Sequence, residues 1–172
     1  MSKQEESWLY EFVRKAIEQS FKVQGYEMDF EITGHPRGKF IPEKFLSSEM
    51  LLKHRRDRLP TPDIMGPVWR STRQDKKKLV IVEVKKKPNY RDIFQTKGYD
   101  ELYNSDFTYL ISQHFLYMSS PKVLDFIKES PELLRTRKGT DVYVMTLYRN
   151  SAGEIHLGQL GTEAGILPTA IL

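Results

Sequence analysis

The sequence predicts an α/β protein, a mixed central sheet flanked by helices, in a single domain spanning residues 1–172. Three observations carry that expectation. An amphipathic helical stripe opens the chain, strand-like runs follow it, and helical and strand patterns then alternate to the end. Neither an internal repeat nor a low-complexity linker divides it.

The elements follow in order. From Glu5 to Phe21, Trp8, Leu9, Phe12, Val13, Ala16 and Ile17 recur at helical spacing without Gly or Pro. The buried stripe expected of that helix is Leu9, Phe12, Val13, Ala16 and Ile17. After Gly25, the residues Tyr26, Met28, Phe30 and Ile32 alternate with Glu27, Asp29 and Glu31, as in one half-buried strand. Pro36, Gly38 and Pro42 break the pattern, and a short helix over 43–54 leads to the basic cluster His54, Arg55, Arg56 and Arg58. Pro62, Asp63 and Ile64 open a strand towards Trp69. A charged turn then leads to Leu79–Lys85, the most strand-like run in the chain, which Pro88 ends. A helix over about Tyr90 to Tyr103 and a strand from Phe107 to Ile111 come next. Pro121 suits the first position of a helix carrying Val123, Leu124, Phe126 and Ile127. Asp141–Tyr148 and Ile155–Leu160 read as a hairpin around Asn150-Ser151-Ala152-Gly153. The expected order is αβββαβαββ, with the apolar end Ile166–Leu172 as a docked tail or a dimer contact.

The net charge of +4 conceals an uneven distribution: +9 over His35–Asp100, −3 over Met1–Gly34 and −2 over Glu101–Leu172. A basic middle third points to a polyanion such as nucleic acid, or simply to a solvated lysine surface. With no cysteine, disulfides, thiolate zinc sites, iron–sulfur clusters and cysteine nucleophiles are excluded. No apolar run reaches the roughly 18 residues a membrane span needs. Met1–Ser7 is too polar for a signal peptide, so a cytoplasmic protein without a membrane partner is expected. Gly-rich phosphate loops, G-x-S-x-G, H-E-x-x-H and EF-hand patterns are absent from the sequence. The histidines His35, His54, His114 and His156 have no metal-ligand spacing.

The residues with chemical potential lie at Asp63, opening one strand, and at Glu83 and Lys85 near the end of the next. Period-two geometry puts Glu83 and Lys85 on one face, their Cα atoms roughly 6.5–7 Å apart, with Val80, Val82 and Val84 on the other. A carboxylate and an ammonium within an apolar run are unfavourable unless paired or bound to something. The plainer alternative is a strand end fraying into the solvated run Lys85-Lys86-Lys87.

Pro62-Asp63, a gap of 19 residues and then Glu83-Val84-Lys85 resembles the signature of the PD-(D/E)XK nuclease superfamily. Gln95 and Tyr99, spaced Q-x-x-x-Y, are similar to the additional motif of its RecB-type members. The helix and strand order over about residues 5–112 is likewise similar to a restriction-endonuclease-like αβββαβ core, leaving about 121–172 as a C-terminal helix and hairpin extension. The resemblance implies a Mg²⁺-dependent nuclease with Mn²⁺ able to substitute; DNA is favoured over RNA and endonuclease over exonuclease, though the sequence decides neither. The resemblance assigns the metal to Asp63, Glu83 and the carbonyl of Val84, and gives Lys85 the attacking water.

Many members of that superfamily add a glutamate from the first helix. Glu6 is preferred and Glu5 is next, because Glu11 and Glu18 fall opposite the apolar stripe; both could equally serve the helix N-terminus. Gln95 would touch a water, Lys85 or a phosphate if it is not plain surface, and Tyr99 would assist it or belong to the core. Lys86, Lys87, Arg91 and Lys97, with Arg55, Arg56 and Arg58, would grip phosphates without reading bases. Lys76, Lys77 and Lys78 lie at the far end of the strand pair. Some RecB-type relatives hold a cysteine-ligated iron–sulfur cluster, which this chain cannot. The competing expectation is a non-catalytic nucleic-acid-binding or scaffold module on the same fold, with a homodimer as one form of it.

Overall fold

In the computed structural model, which describes residues 7–34, 46, 47, 49, 59–70, 76–113, 125, 127, 129–149, 152–160 and 166–168, the opening stripe becomes helix α1 (Ser7–Val23). Its inward side carries Leu9, Tyr10, Val13, Ala16, Ile17 and Phe21, all buried. The stripe is therefore rotated from the expected one. Trp8 and Phe12 are 48% and 41% exposed and meet edge to face. The rotation follows from Phe21, whose ring packs against Tyr26, Phe30, Phe107 and Tyr109. Burying that ring brings Tyr10 inward and leaves Phe12, on the far side of the helix from Tyr10, facing solvent. Arg14 bridges Glu11 and Glu18 at 2.6 Å each on the outer surface, pairs worth about 0.2–0.5 kcal/mol apiece.

Residues 26–32 form two short strands rather than one. Strands β1 (Glu27–Met28) and β2 (Glu31–Ile32) both pair antiparallel with β3 (Ile64–Trp69) in one unbroken register, Glu27 opposite Trp69 and Ile32 opposite Ile64. The interruption falls at Asp29, whose N–H donates to the Pro67 carbonyl at 3.1 Å. Pro67 has no N–H to return, so the ladder loses a bond there. Beside it, Gly66 admits the Asp29 carbonyl so closely that a Cβ at 66 would lie 2.1 Å from that oxygen.

Strand β4 (Lys78–Lys85) runs antiparallel to β3. Helix α2 (Tyr90–Tyr103) carries the chain over to β5 (Phe107–Ser112), parallel to β4. Of the helix expected after Pro121, the described residues 125, 127 and 129 are helical. A 3₁₀ turn at Pro131–Leu134 then precedes β6 (Val142–Arg149), parallel to β5. Strand β7 (Ile155–Leu160) closes the expected hairpin, and β8 (Ile166–Pro168) pairs with it, so the apolar tail supplies an edge strand. The sheet order is β1-β3-β4-β5-β6-β7-β8, with β2 also on β3. The expected helix over 43–54 falls almost wholly outside the described residues. No helix among them is long and apolar enough to cross a membrane.

The sheet separates two cores. Val80, Val82 and Val84 join Tyr109, Ile111 and Leu157 beneath α1. On the other face Ile81 and Met65 pack with Tyr99 and Tyr103 of α2, while Leu110 packs with Ile93. Each buried valine or isoleucine contributes about 1.5–3 kcal/mol. The alternation decides the site: Glu83 and Lys85 share the face of Ile81 and so project towards α2.

Candidate active site

Asp63 occupies a bend immediately before β3. Its backbone is held from several sides: its N–H donates to the Val82 carbonyl at 3.0 Å, and its own carbonyl accepts from Thr33 and Gly34 at 2.9 and 3.0 Å. The Thr33 hydroxyl also donates to the Pro62 carbonyl at 2.7 Å. The Asp63 side chain crosses to the neighbouring strand, where Oδ2 accepts from the Val84 amide at 2.9 Å. Asp63 and Glu83 are 0% and 1% exposed. Two carboxylates at the ends of adjacent strands are thus withdrawn from bulk water, an arrangement that needs cations or hydrogen bonds to compensate it.

Those partners surround Glu83. Lys85 Nζ lies 2.8 Å from Glu83 Oε1, and the Gln95 amide donates to the same oxygen at 3.0 Å. Gln95 also donates to the Tyr99 hydroxyl, one turn along α2, at 2.8 Å. Of the residues singled out by the sequence, Asp63, Glu83, Val84, Lys85, Gln95 and Tyr99 are therefore brought together. Tyr99, expected either to assist Gln95 at the nucleic acid or to belong to the core, supports Gln95 from the core at 3% exposure. Burial, reinforced by the Glu83 charge, pushes its phenol well above the ordinary value, so it stays neutral. Lys87 and Arg91 are exposed and Lys86 is half-buried near the start of α2. Lys97 instead donates to the Leu133 carbonyl at 2.9 Å. Glu5, Glu6, His54, Arg55, Arg56 and Arg58 lie outside the described residues.

Asp92 escaped the sequence reading. It sits at the third position of α2, where its Oδ2 accepts from the Asn89 amide at 2.7 Å in a capping box. Burial pushes its carboxyl above the ordinary aspartate value, opposed by the Asn89 hydrogen bond and by the charge of Lys85, while Asp63 adds to the rise. The charges of Lys85 and Asp63 both act on it, and Asn-x-x-Asp ahead of a helix was its only visible signal. Thr33, Gly34 and Tyr103 were missed as well. The Tyr103 hydroxyl donates to the Pro60 carbonyl at 2.8 Å, steadying the approach to Asp63. None of these three carries a local sequence signal of its task.

The donor set suits a hard cation. Mg²⁺ prefers a few oxygen ligands and keeps several waters, so two carboxylates and the Val84 carbonyl are a sufficient protein share. No ready-made cluster of three or more His, Asp or Glu groups occurs among the described residues. The arrangement can chemically hold a divalent ion, place a lysine ammonium beside its ligands and brace one ligand with an amide. Comparison with family models, with curated proteins and with solved structures finds no match for the chain.

Proposed function

We propose that the protein is a divalent-metal-dependent nuclease that hydrolyses phosphodiester bonds, with DNA as the substrate that its motif resemblance implies. The observation that carries this reading is that Asp63, just before β3 and bonded to Val82 and Val84 on either side of Glu83, and Glu83 on β4 are both sequestered, with Lys85 2.8 Å from Glu83. Asp63, Glu83 and the Val84 carbonyl would hold Mg²⁺. When bound, the ion supplies an acidified water and polarises the phosphate. The protein's own groups do the rest. Gln95 fixes the Glu83 carboxylate, so that its geometry is set before substrate arrives. Lys85 orients the attacking water and meets the negative charge that develops on the phosphoryl oxygens. Lys87 and Arg91, both exposed between the end of β4 and the first turn of α2, contact phosphates in a salt-dependent way.

Purified protein is expected to cleave single-stranded, duplex or branched DNA in Mg²⁺ or Mn²⁺ and to stop in EDTA. Asp63→Ala and Lys85→Ala should each lower the rate by roughly 10²–10⁴-fold. Identical behaviour of wild type and Asp63→Ala on all three substrates would defeat the nuclease reading in favour of a non-catalytic nucleic-acid-binding or scaffold module.

A further inference from the structure

Helix α2 carries a surface feature that the chemistry above leaves unused. Phe94 is 51% exposed and immediately precedes Gln95, whose amide reaches Glu83. One turn further on, Gly98 is exposed in the middle of the helix, and a Cβ there would meet nothing within 4 Å. Packing does not require a glycine at 98, nor does a positive φ, although glycine weakens a helix interior relative to alanine. A local rule broken without a packing gain is a mark of function.

The placement of these residues suggests what the function is. At about 100° per residue, Arg91 and Gly98 both fall in the sector of α2 between Phe94 and Gln95, one turn before and one turn after. Arg91 is exposed, and Tyr90, 37% exposed, stands one turn before Phe94. An apolar ring, a bare strip of helix and a guanidinium therefore lie beside Gln95, whose amide reaches Glu83. That combination matches a nucleotide: the ring takes the face of a base, and the cation takes its phosphate. Within a continuous duplex each base face is covered by its neighbours, so away from a duplex end only an unpaired nucleotide can offer one.

We infer that α2 bears a stacking shelf, Phe94 beside Gly98, that receives one unpaired base next to the scissile phosphate, making single-stranded nucleic acid or an unpaired end the favoured ligand. The position of that phosphate rests on the nuclease reading; the shelf itself does not.

The test is equilibrium binding in EDTA, where cleavage is silent, by fluorescence anisotropy of a labelled oligothymidylate and of a blunt duplex of equal length. Wild type is expected to favour the oligothymidylate. Phe94→Ala should weaken that binding about tenfold or more while leaving the duplex within about twofold, and Phe94→Trp should retain it. Gly98→Leu separates the shelf from a structural role: it should raise the melting temperature, because leucine favours helix, and yet weaken oligothymidylate binding. The shelf is refuted if both variants bind like wild type, if they lose both ligands in equal proportion, or if wild type binds neither. Cleavage by wild type and Asp63→Ala is scored in parallel. Asp63-dependent cleavage without a Phe94 effect sinks the shelf alone. A Phe94 effect with cleavage indifferent to Asp63 supports the shelf and sinks the nuclease.

Discussion

Thr33 and Gly34 both donate their amides to the carbonyl of Asp63, and Gly34 does so from a position that no other residue could occupy unchanged. A Cβ at 34 would lie 2.3 Å from Asp63 Oδ1 and 2.7 Å from its Cα. The second of these is a backbone contact, so rotating a side chain cannot relieve it. Gly34→Ala should therefore cost about 1–3 kcal/mol in stability, as overpacking does. It should lower cleavage by more than the unfolded fraction explains, because the carboxylate itself is displaced. Denaturant melts and cleavage rates on one preparation check this, and full activity in the folded variant would show that Asp63 Oδ1 is not where the chemistry occurs. Asp63, Glu83 and Lys85 were legible in the chain because charges stand out against valine and isoleucine. Thr33 and Gly34 were not, since their role depends on a segment about thirty residues away meeting them in space.

Helix α2 was legible over its whole length, yet what fixes it in place was less so. Its start is closed by the Asn89 and Asp92 capping box. Its end is tied by Asp100, whose Oδ1 accepts from Ser105 and Thr108 at 2.7 Å each and lies 3.2 Å from Lys138 Nζ. Anchoring at both ends holds Gln95 and Tyr99 in register with Glu83. Asp92 makes this element pH-dependent. A carboxyl whose folded pKa is raised favours folding fully below its ordinary value of 3.8 and loses that contribution as pH rises through the folded value. Asp92→Asn keeps an oxygen for the Asn89 amide but removes the titration. Its stability relative to wild type should therefore climb from pH below 3.8 to neutral. Urea melts of both proteins across that range test it, and a constant difference would mean that Asp92 titrates as an ordinary exposed carboxyl.

The assembled sheet is what gives the site its depth. Antiparallel β3 and β4 bring Asp63 beside Val84, and the crossover through α2 seals the face of Glu83. Two sequestered carboxylates should make the whole fold responsive to a divalent ion. Metal-free protein given Mn²⁺ at about 100 times its dissociation constant should gain about 2.7 kcal/mol, or roughly 5–10 °C for a chain of this size. Asp63→Asn, which keeps the acceptor for the Val84 amide, should fold as well and lose that shift; an equal shift in both proteins would place the ion elsewhere. The order of elements from α1 to β7, the partition of β4 into two faces and the charged trio were all written in periodicity and composition, because alternation and helical spacing are local properties of the chain. The face of α1 that turns inward, the break between β1 and β2 and the docking of β8 were not. Each depends on a non-local partner: the ring cluster around Phe21, the missing N–H of Pro67 and the open edge of β7. The site stands between the two. Its acids and lysine come from local pattern, whereas Gln95 on Glu83, the burial of Asp92 within reach of the Lys85 charge and Gly34 against Asp63 exist only once the folded segments pack.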